Sequence, residues 1–342
     1  MRKSRTPVLF ALASATALVL AGCGEAGGGG GTAAEGEGSG GSDAPGCAEP
    51  AGGGRLSIAT GNTTGVYYIL GGGIAAVLTD NVEGTEATAE ATNASAENIQ
   101  LVCAGDSDIG FSLADTAADA VNGEAGFEGD PQSVQALARI YNNYTQVFVR
   151  ADSGIESIAD MAGKSVSTGS PNSGTEVIAT RLLEVNDLGT GDIEQQRLGL
   201  PESVQGMKDG SIDALIWSGG LPTGGITDLV TSLGDDVRML PLDEELPKLQ
   251  DAYGEAYTAG TVPSDTYGLP GDVETVAVPN LLVVSDAMPE DVAEDVTRAI
   301  FENLDDLAQV HPEAENISAD IATDTGDVPL HPGAEAYFDE QG

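Results

Sequence analysis

From Leu56 onward, short apolar runs alternate with helical periodicity, and this alternation constrains the fold more than any other feature. Strands are predicted at Leu56–Thr60, Glu86–Thr92, Asp108–Leu113, Val134–Tyr141, Gln146–Arg150, Ser165–Thr168, Ile193–Leu198, Ile212–Trp217, Val237–Leu240 and Thr275–Val284. Between them, helices are predicted near Val66–Asp80, Ser95–Cys103, Thr175–Val185, Val204–Lys208 and Thr223–Leu233. Such alternation is the pattern of an α/β protein with largely parallel sheets covered by helices. No period of 20 to 50 residues recurs, which argues against a solenoid or propeller. Pro289 opens the longest predicted helix, to about Gln309, with Val292, Val296, Ile300, Leu304 and Leu307 at helical spacing.

The N-terminal 54 residues follow different rules. Arg2, Lys3 and Arg5 precede an apolar run of small residues ending in Leu20-Ala21-Gly22-Cys23. A charged and then short apolar leader is a secretory signal. Its end resembles the lipobox of bacterial lipoproteins, which implies cleavage after residue 22 and lipidation of Cys23. Residues 24–54 hold 14 glycines and only acidic charges, so residues 23–54 are expected to be a lipidated flexible tether. The stretch Gly36–Gly41 satisfies a dinucleotide-binding spacing, but no strand precedes it and no helix follows it. Cys47 and Cys103 are the remaining cysteines, and an exported chain permits them to pair.

Charge excludes one class of partner. With 13 Lys and Arg against 55 Asp and Glu, the net charge is −42, and it becomes −45 once the leader is removed. A nucleic-acid surface needs clustered cations, which this chain lacks. Catalytic and metal motifs are also thin. His311 and His331 each precede a proline, which points to surface turns, and no Cys/His spacing accompanies them. Acidic pairs such as Asp235-Asp236 and Asp305-Asp306 read as solvated surface, and no metal, cofactor or catalytic residue is expected.

Three Gly/Ser/Thr-rich loops each lie between a strand and a helix: 60–68, 167–176 and 217–223. Loops of this kind at the carboxyl ends of parallel strands bring helix N-termini, with unpaired N–H groups, toward a crevice suited to carboxylates or phosphates. The competing explanation is plain capping, since Ser173-Gly174-Thr175-Glu176 fits a capping box. Tyr67, Tyr68 and Trp217 are candidate apolar walls, and Arg139 and Arg150 candidate carboxylate partners.

At these residues the chain resembles a known family. Ile58-Ala59-Thr60-Gly61 through Gly65-Val66-Tyr67-Tyr68, residues 149–154, residues 169–176 and Gly220-Leu221-Pro222-Thr223 are similar, in order, to the TAXI receptors of tripartite ATP-independent periplasmic (TRAP) transporters. Phe301-Glu302-Asn303-Leu304 and His331-Pro332-Gly333-Ala334 extend the likeness toward the C-terminus. The resemblance implies a two-lobed periplasmic-binding-protein type II fold with a cleft between lobe I (55–145 plus 275–342) and lobe II (146–274). It implies a non-enzymatic, monomeric receptor held at the outer face of the cell membrane or in the periplasm, delivering a small organic acid or amino acid such as glutamate, glutamine or 2-oxoglutarate to TRAP membrane subunits. The implied ligand contacts are Gly61, Asn62, Thr63 and Tyr67, then Ser170, Asn172, Ser173 and Thr175, then Gly219, Gly220 and Pro222. One departure stands out: Leu113-Ala114 replaces two polar residues of many family members, which favours a smaller or less polar ligand than glutamate. A ligand-sensing lipoprotein serving a signalling partner would read alike, and an extracytoplasmic hydrolase is disfavoured because no histidine supports a nucleophile.

Overall fold

The computed structural model describes residues 46–48, 50 and 54–342, which fall within one compact unit. The leader, Cys23 and most of the tether lie outside the described residues. The chain runs β1 (Arg55–Ala59), α1 (Val66–Asn81), β2 (Glu86–Glu90), α2 (Ser95–Ala104), β3 (Ile109–Leu113), α3 (Ala114–Asn122) and β4 (Val134–Arg150). It continues through β5 (Ser165–Ser167), α4 (Gly174–Glu184), β6 (Glu194–Gln196), α5 (Leu200–Asp209), β7 (Ala214–Gly219), α6 (Gly224–Leu233) and β8 (Val237–Leu240). Then follow α7 (Leu246–Tyr253), β9 (Thr258–Val262), α8 (Ser264–Tyr267), β10 (Val273–Ser285), α9 (Glu290–Glu302), α10 (Leu304–Val310), α11 (Ala319–Ala322) and α12 (Pro332–Gln341).

One sheet runs β2-β1-β3-β10-β4-β7-β5-β6, with β8 on β4 and β9 on β10. Its outer portions are parallel, β1 with β2 and β3, and β5 with β6 and β7. The five pairings that involve β4 or β10 are all antiparallel, so the sheet is mixed rather than largely parallel. These two long strands join the lobes of a mixed α/β, two-lobed fold. β10 pairs with β9 through Val273–Ala277 and with β3 through Asn280–Val284, while β4 pairs with β10 and then with β7 and β8. At the changeover, Tyr144 is opposite both Gly219 of β7 and Ala277 of β10. Pro279 sits there at a register shift, where a residue without an N–H does least harm to the ladder.

Alternation along the crossing strands divides the core. Val134, Ala136, Val147, Val149, Val276, Val278, Leu281 and Val283 face a core that continues through both lobes beneath α2, α3 and α4. On the opposite face, Leu137, Ile140, Leu282 and Val284 pack under α1 and α9. Phe148 and Leu215 pack there under α5 and α6. The period-two pattern thus lets one strand serve two cores.

Four expectations change. Val134–Tyr141 and Gln146–Arg150 are halves of the single strand β4. The long late helix is two helices, because Asn303 leaves helical geometry and its Nδ2 donates to the Ala299 carbonyl at 2.7 Å, a local bond that competes with the ladder. Pro289 is the cap of α9, not its first helical residue. Both histidines are buried rather than on surface turns. His331 and His311 cap the following segments, each Nδ1 accepting an N–H at 3.1 Å from Gly333 and Glu313 respectively. Cys47 and Cys103 are disulfide-bonded, with Cα atoms 4.4 Å apart. The bridge joins the segment before β1 to α2.

Candidate functional site

The three loops meet, with a fourth element, around a cavity of about 30 Å³. Space of that size holds roughly two waters. From the ends of β1, β2 and β3 and the segments following them come Gly61, Asn62, Gly65, Val66 and Tyr67, together with Asn93, Ala94, Ser95 and Leu113. From the segments at the ends of β5 and β7 come Ser170, Ser173, Gly174, Thr175, Trp217, Ser218, Gly219 and Gly220, and Asn143 enters from the crossing strand β4. None of these residues is charged.

Local structure explains why they converge. After β1 the chain turns at Asn62–Gly65 and enters α1, whose cap position, Gly65, provides no side-chain acceptor. Ala94, the cap position of α2, also lacks one and has φ of 81°, a left-handed conformation unusual for alanine. In α4 the Ser173 Oγ accepts the Glu176 N–H at 3.0 Å. Capping is therefore one-sided. The Glu176 carboxylate does not return to Ser173 but accepts from Asn172 N and pairs with Arg197. Three helix N-termini thus face one uncharged space, and their unpaired N–H groups and dipoles favour negative charge there.

Of the eleven residues the resemblance nominated, eight line the cavity and three do not. Thr63 is exposed and faces a shallow surface recess beside Tyr68. Asn172, at φ 60°, is an exposed turn residue whose carbonyl accepts the Glu97 N–H across the lobes. Pro222, at a cis peptide, points outward while its carbonyl meets His311 Nε2 at 3.2 Å. In each case the loop is at the cavity but the side chain turns away. Tyr68 is likewise no wall, being exposed on the outer side of α1. Arg139 and Arg150 are tied to Asp324 and Asp152 and do not line the cavity.

Sequence reasoning missed Asn93, Ala94, Ser95, Asn143 and Ser218 as lining residues. Asn143 fell in the gap between two predicted strands, and its place follows from a buried chain: Tyr67 donates its O–H to Asn280 Oδ1, and Asn280 Nδ2 donates to Tyr141 O and Asn143 Oδ1, both at 3.0 Å. Burial holds the Tyr67 phenol far above its ordinary pKa, so it stays protonated. Ser218 Oγ is buried and has no hydrogen-bond partner.

Contacts across the lobes hold this geometry. Asn62 Oδ1 accepts the Leu200 N–H at the start of α5 at 2.6 Å, and its Nδ2 reaches Ser170 Oγ at 3.3 Å. Farther out, Arg181 of α4 pairs with Asp115 and Asp119 of α3, at 3.3 and 2.7 Å, and meets Tyr257 Oη at 3.0 Å. All three charged groups are almost wholly buried. Burial disfavours the Arg181 charge, but Tyr257, Asp115 and Asp119 outweigh it and push its pKa up. For Asp119 burial wins, and its carboxyl is raised despite Arg181.

A model of the NMT1-like family matches residues 58–342. Among solved structures, a binding protein component of an ABC phosphonate transporter from Pseudomonas aeruginosa is similar at a TM-score of 0.53 and 11% identity, over 79% of this chain and 80% of that one. A protein from Bordetella bronchiseptica RB50 is similar at 0.54 and 16% identity, over 84% of this chain and 98% of that one. The alkanesulfonate-binding protein SsuA from Xanthomonas axonopodis pv. citri, bound to MOPS, aligns at 0.46 and 16% identity, over 80% and 86%. At these identities the Pseudomonas and Bordetella structures speak to the fold alone, while the family match extends over nearly all of the described residues. The chain belongs to the NMT1-like family.

Proposed function

We propose that this protein is an extracytoplasmic solute receptor that closes its lobes over a small organic acid or amino acid and presents it to membrane transporter subunits. The observation that carries the reading is the cavity itself, walled from both lobes, uncharged, and faced by the N-termini of α1, α2 and α4. Closure would bring Asn62 onto α5 and Arg181 onto α3 only when the lobes meet, which couples ligand capture to a shape a transporter can recognise. No enzymatic step is part of this reading. Lobe I is taken as 55–145 plus 275–342 and lobe II as 146–274, with a leader at 1–22 and a lipid on Cys23 keeping the receptor near the membrane.

The motifs quoted above favour TRAP membrane subunits as partners, as in the TAXI receptors. The Pseudomonas structure favours a second reading, in which the partner is an ABC permease and the ligand a phosphonate. Which membrane subunits co-purify with the full-length chain separates the two. Trp217 is the single tryptophan and lines the cavity, so its emission reports closure. Titration of the chain with C4 to C6 acids and amino acids, and with methylphosphonate, should change that emission for a ligand of the right class. If calorimetry finds no member binding more tightly than millimolar, the small-anion receptor reading fails.

A further inference from the structure

We propose that the cavity selects a small oxyanion that carries no hydrogen-bond donors, and therefore rejects amino acids. The inference rests on the cavity being the ligand site and narrows what that site accepts. It comes from the direction in which each lining group is already hydrogen-bonded.

Three hydroxyls of the cavity wall each already accept one protein donor. Ser170 Oγ accepts from Asn62 Nδ2 at 3.3 Å, Ser173 Oγ from Glu176 N at 3.0 Å, and Thr175 Oγ1 from Ser218 N at 3.2 Å. None of the three donates its own proton to a described protein atom. Each therefore keeps an O–H to offer. Ser218 Oγ, buried to more than nine-tenths, has no partner at all. That is an unsatisfied polar group of the kind a bound molecule completes.

Most of the acceptors, by contrast, already take a protein donor. The carbonyls of Asn62, Ser170 and Gly220 take Gly65 N, Ser173 N and Thr223 Oγ1 at 2.9, 3.2 and 2.7 Å. Asn143 Oδ1 takes Asn280 Nδ2, and Asn62 Oδ1 takes Leu200 N. No carboxylate lines the space, and Asp115, on the helix that follows Leu113, is bound to Arg181 and to the Tyr257 O–H. An ammonium group would bring a charge and three donors to a wall that supplies donors, under three positive helix ends. Such a charge is costly to bury without an anion. An oxyanion meets the complementary arrangement, neutral O–H donors from Ser170, Ser173, Thr175 and Ser218 and no carboxylate among the lining residues. Leu113, on the remaining wall, suits the carbon or apolar side of such a ligand.

Matched pairs differing in the amino group test this on the purified full-length chain, by calorimetry and Trp217 emission: pyruvate with alanine, 2-oxoglutarate with glutamate, ethanesulfonate with taurine. The donor-free member of at least one pair should bind at least about a hundredfold more tightly than its ammonium partner, since a site leaves its own groups unpaired when the ligand's polarity is wrong. Ser218→Ala should weaken that ligand about tenfold with an unchanged melting temperature. An amino acid or taurine binding as tightly as its partner overturns the proposal while leaving the receptor reading intact. If no member of any pair binds more tightly than millimolar, the receptor reading fails and this one with it.

Discussion

The Arg181 cluster is a bond between lobes, and Arg181→Met measures what it contributes. The substitution keeps an unbranched apolar stem but removes the guanidinium, leaving Asp115 and Asp119 without their cation in a buried site. Removing one partner of a buried pair costs about 3–5 kcal/mol. Asp115 retains the Tyr257 O–H at 2.6 Å, so the lower end, about 3 kcal/mol, applies. On the proposed lobe boundaries α3 and α4 fall in different lobes, so opening the lobes returns both carboxylates to water. The cost therefore falls on closure and not on folding, and at 1.4 kcal/mol per decade it weakens ligand binding about a hundredfold. Small-angle scattering should show a larger radius of gyration for the variant, with a melting temperature within about 2 °C of the parent. Acid should partly restore binding, since burial already raises the Asp119 pKa and a protonated Asp119 no longer repels Asp115. The reasoning is refuted if the melting temperature falls by about 6 °C or more while scattering and affinity stay at parental values, which would make the cluster a fold-stabilising contact.

Further predictions follow from the same contacts. A Cβ on Gly174 would lie 2.6 Å from both Leu113 Cδ1 and Ser95 Oγ of the opposite lobe, so Gly174→Ala should abolish the Trp217 response while leaving stability equal or slightly raised, alanine being the better helix former; a normal titration would contradict this. Cys103→Ser opens a link spanning 56 positions of sequence and should lower stability by about 4 kcal/mol in thermal or denaturant unfolding, with ligand affinity retained. Burial lowers the pKa of His331, whose Nδ1 must stay unprotonated to accept from Gly333, so the folded state resists a proton that the unfolded chain takes up near pH 6.5. Its stabilising contribution is complete above that pH and declines by up to about 1.4 kcal/mol per unit below it, and His331→Asn, which keeps an acceptor, should flatten stability between pH 7.5 and 5.5.

Fold class and the three loops were legible because they rest on local rules. An apolar run followed by Gly, Ser or Thr and then helical spacing identifies a strand end and a helix start wherever the chain later goes, and residues 60–68, 167–176 and 217–223 all reach the cavity. Less legible was which side chain on each loop faces inward. Thr63, Asn172 and Pro222 are as polar or as turn-forming as their neighbours, and only the backbone path turns them out. Asn142 and Asn143 interrupt the apolar alternation of β4, which is why one crossing strand read as two. The same interruption places a polar side chain at the cavity. Helix α3 escaped notice because Asp115 and Asp119 sit on its buried side, where Arg181 neutralises them.

By itself the sequence determined a strongly acidic α/β chain with helix N-termini at the ends of its strands, because periodicity, capping and charge are properties of neighbouring residues. Tertiary structure alone decided that β4 and β10 cross between the lobes, that Arg181 meets its acids from 62 and 66 positions away, and that the Ser170, Ser173 and Thr175 hydroxyls each already accept a protein donor. The direction of a hydrogen bond depends on the partner at its other end. For Ser170 that partner is Asn62, 108 residues distant, and no reading of either residue's own neighbourhood contains it.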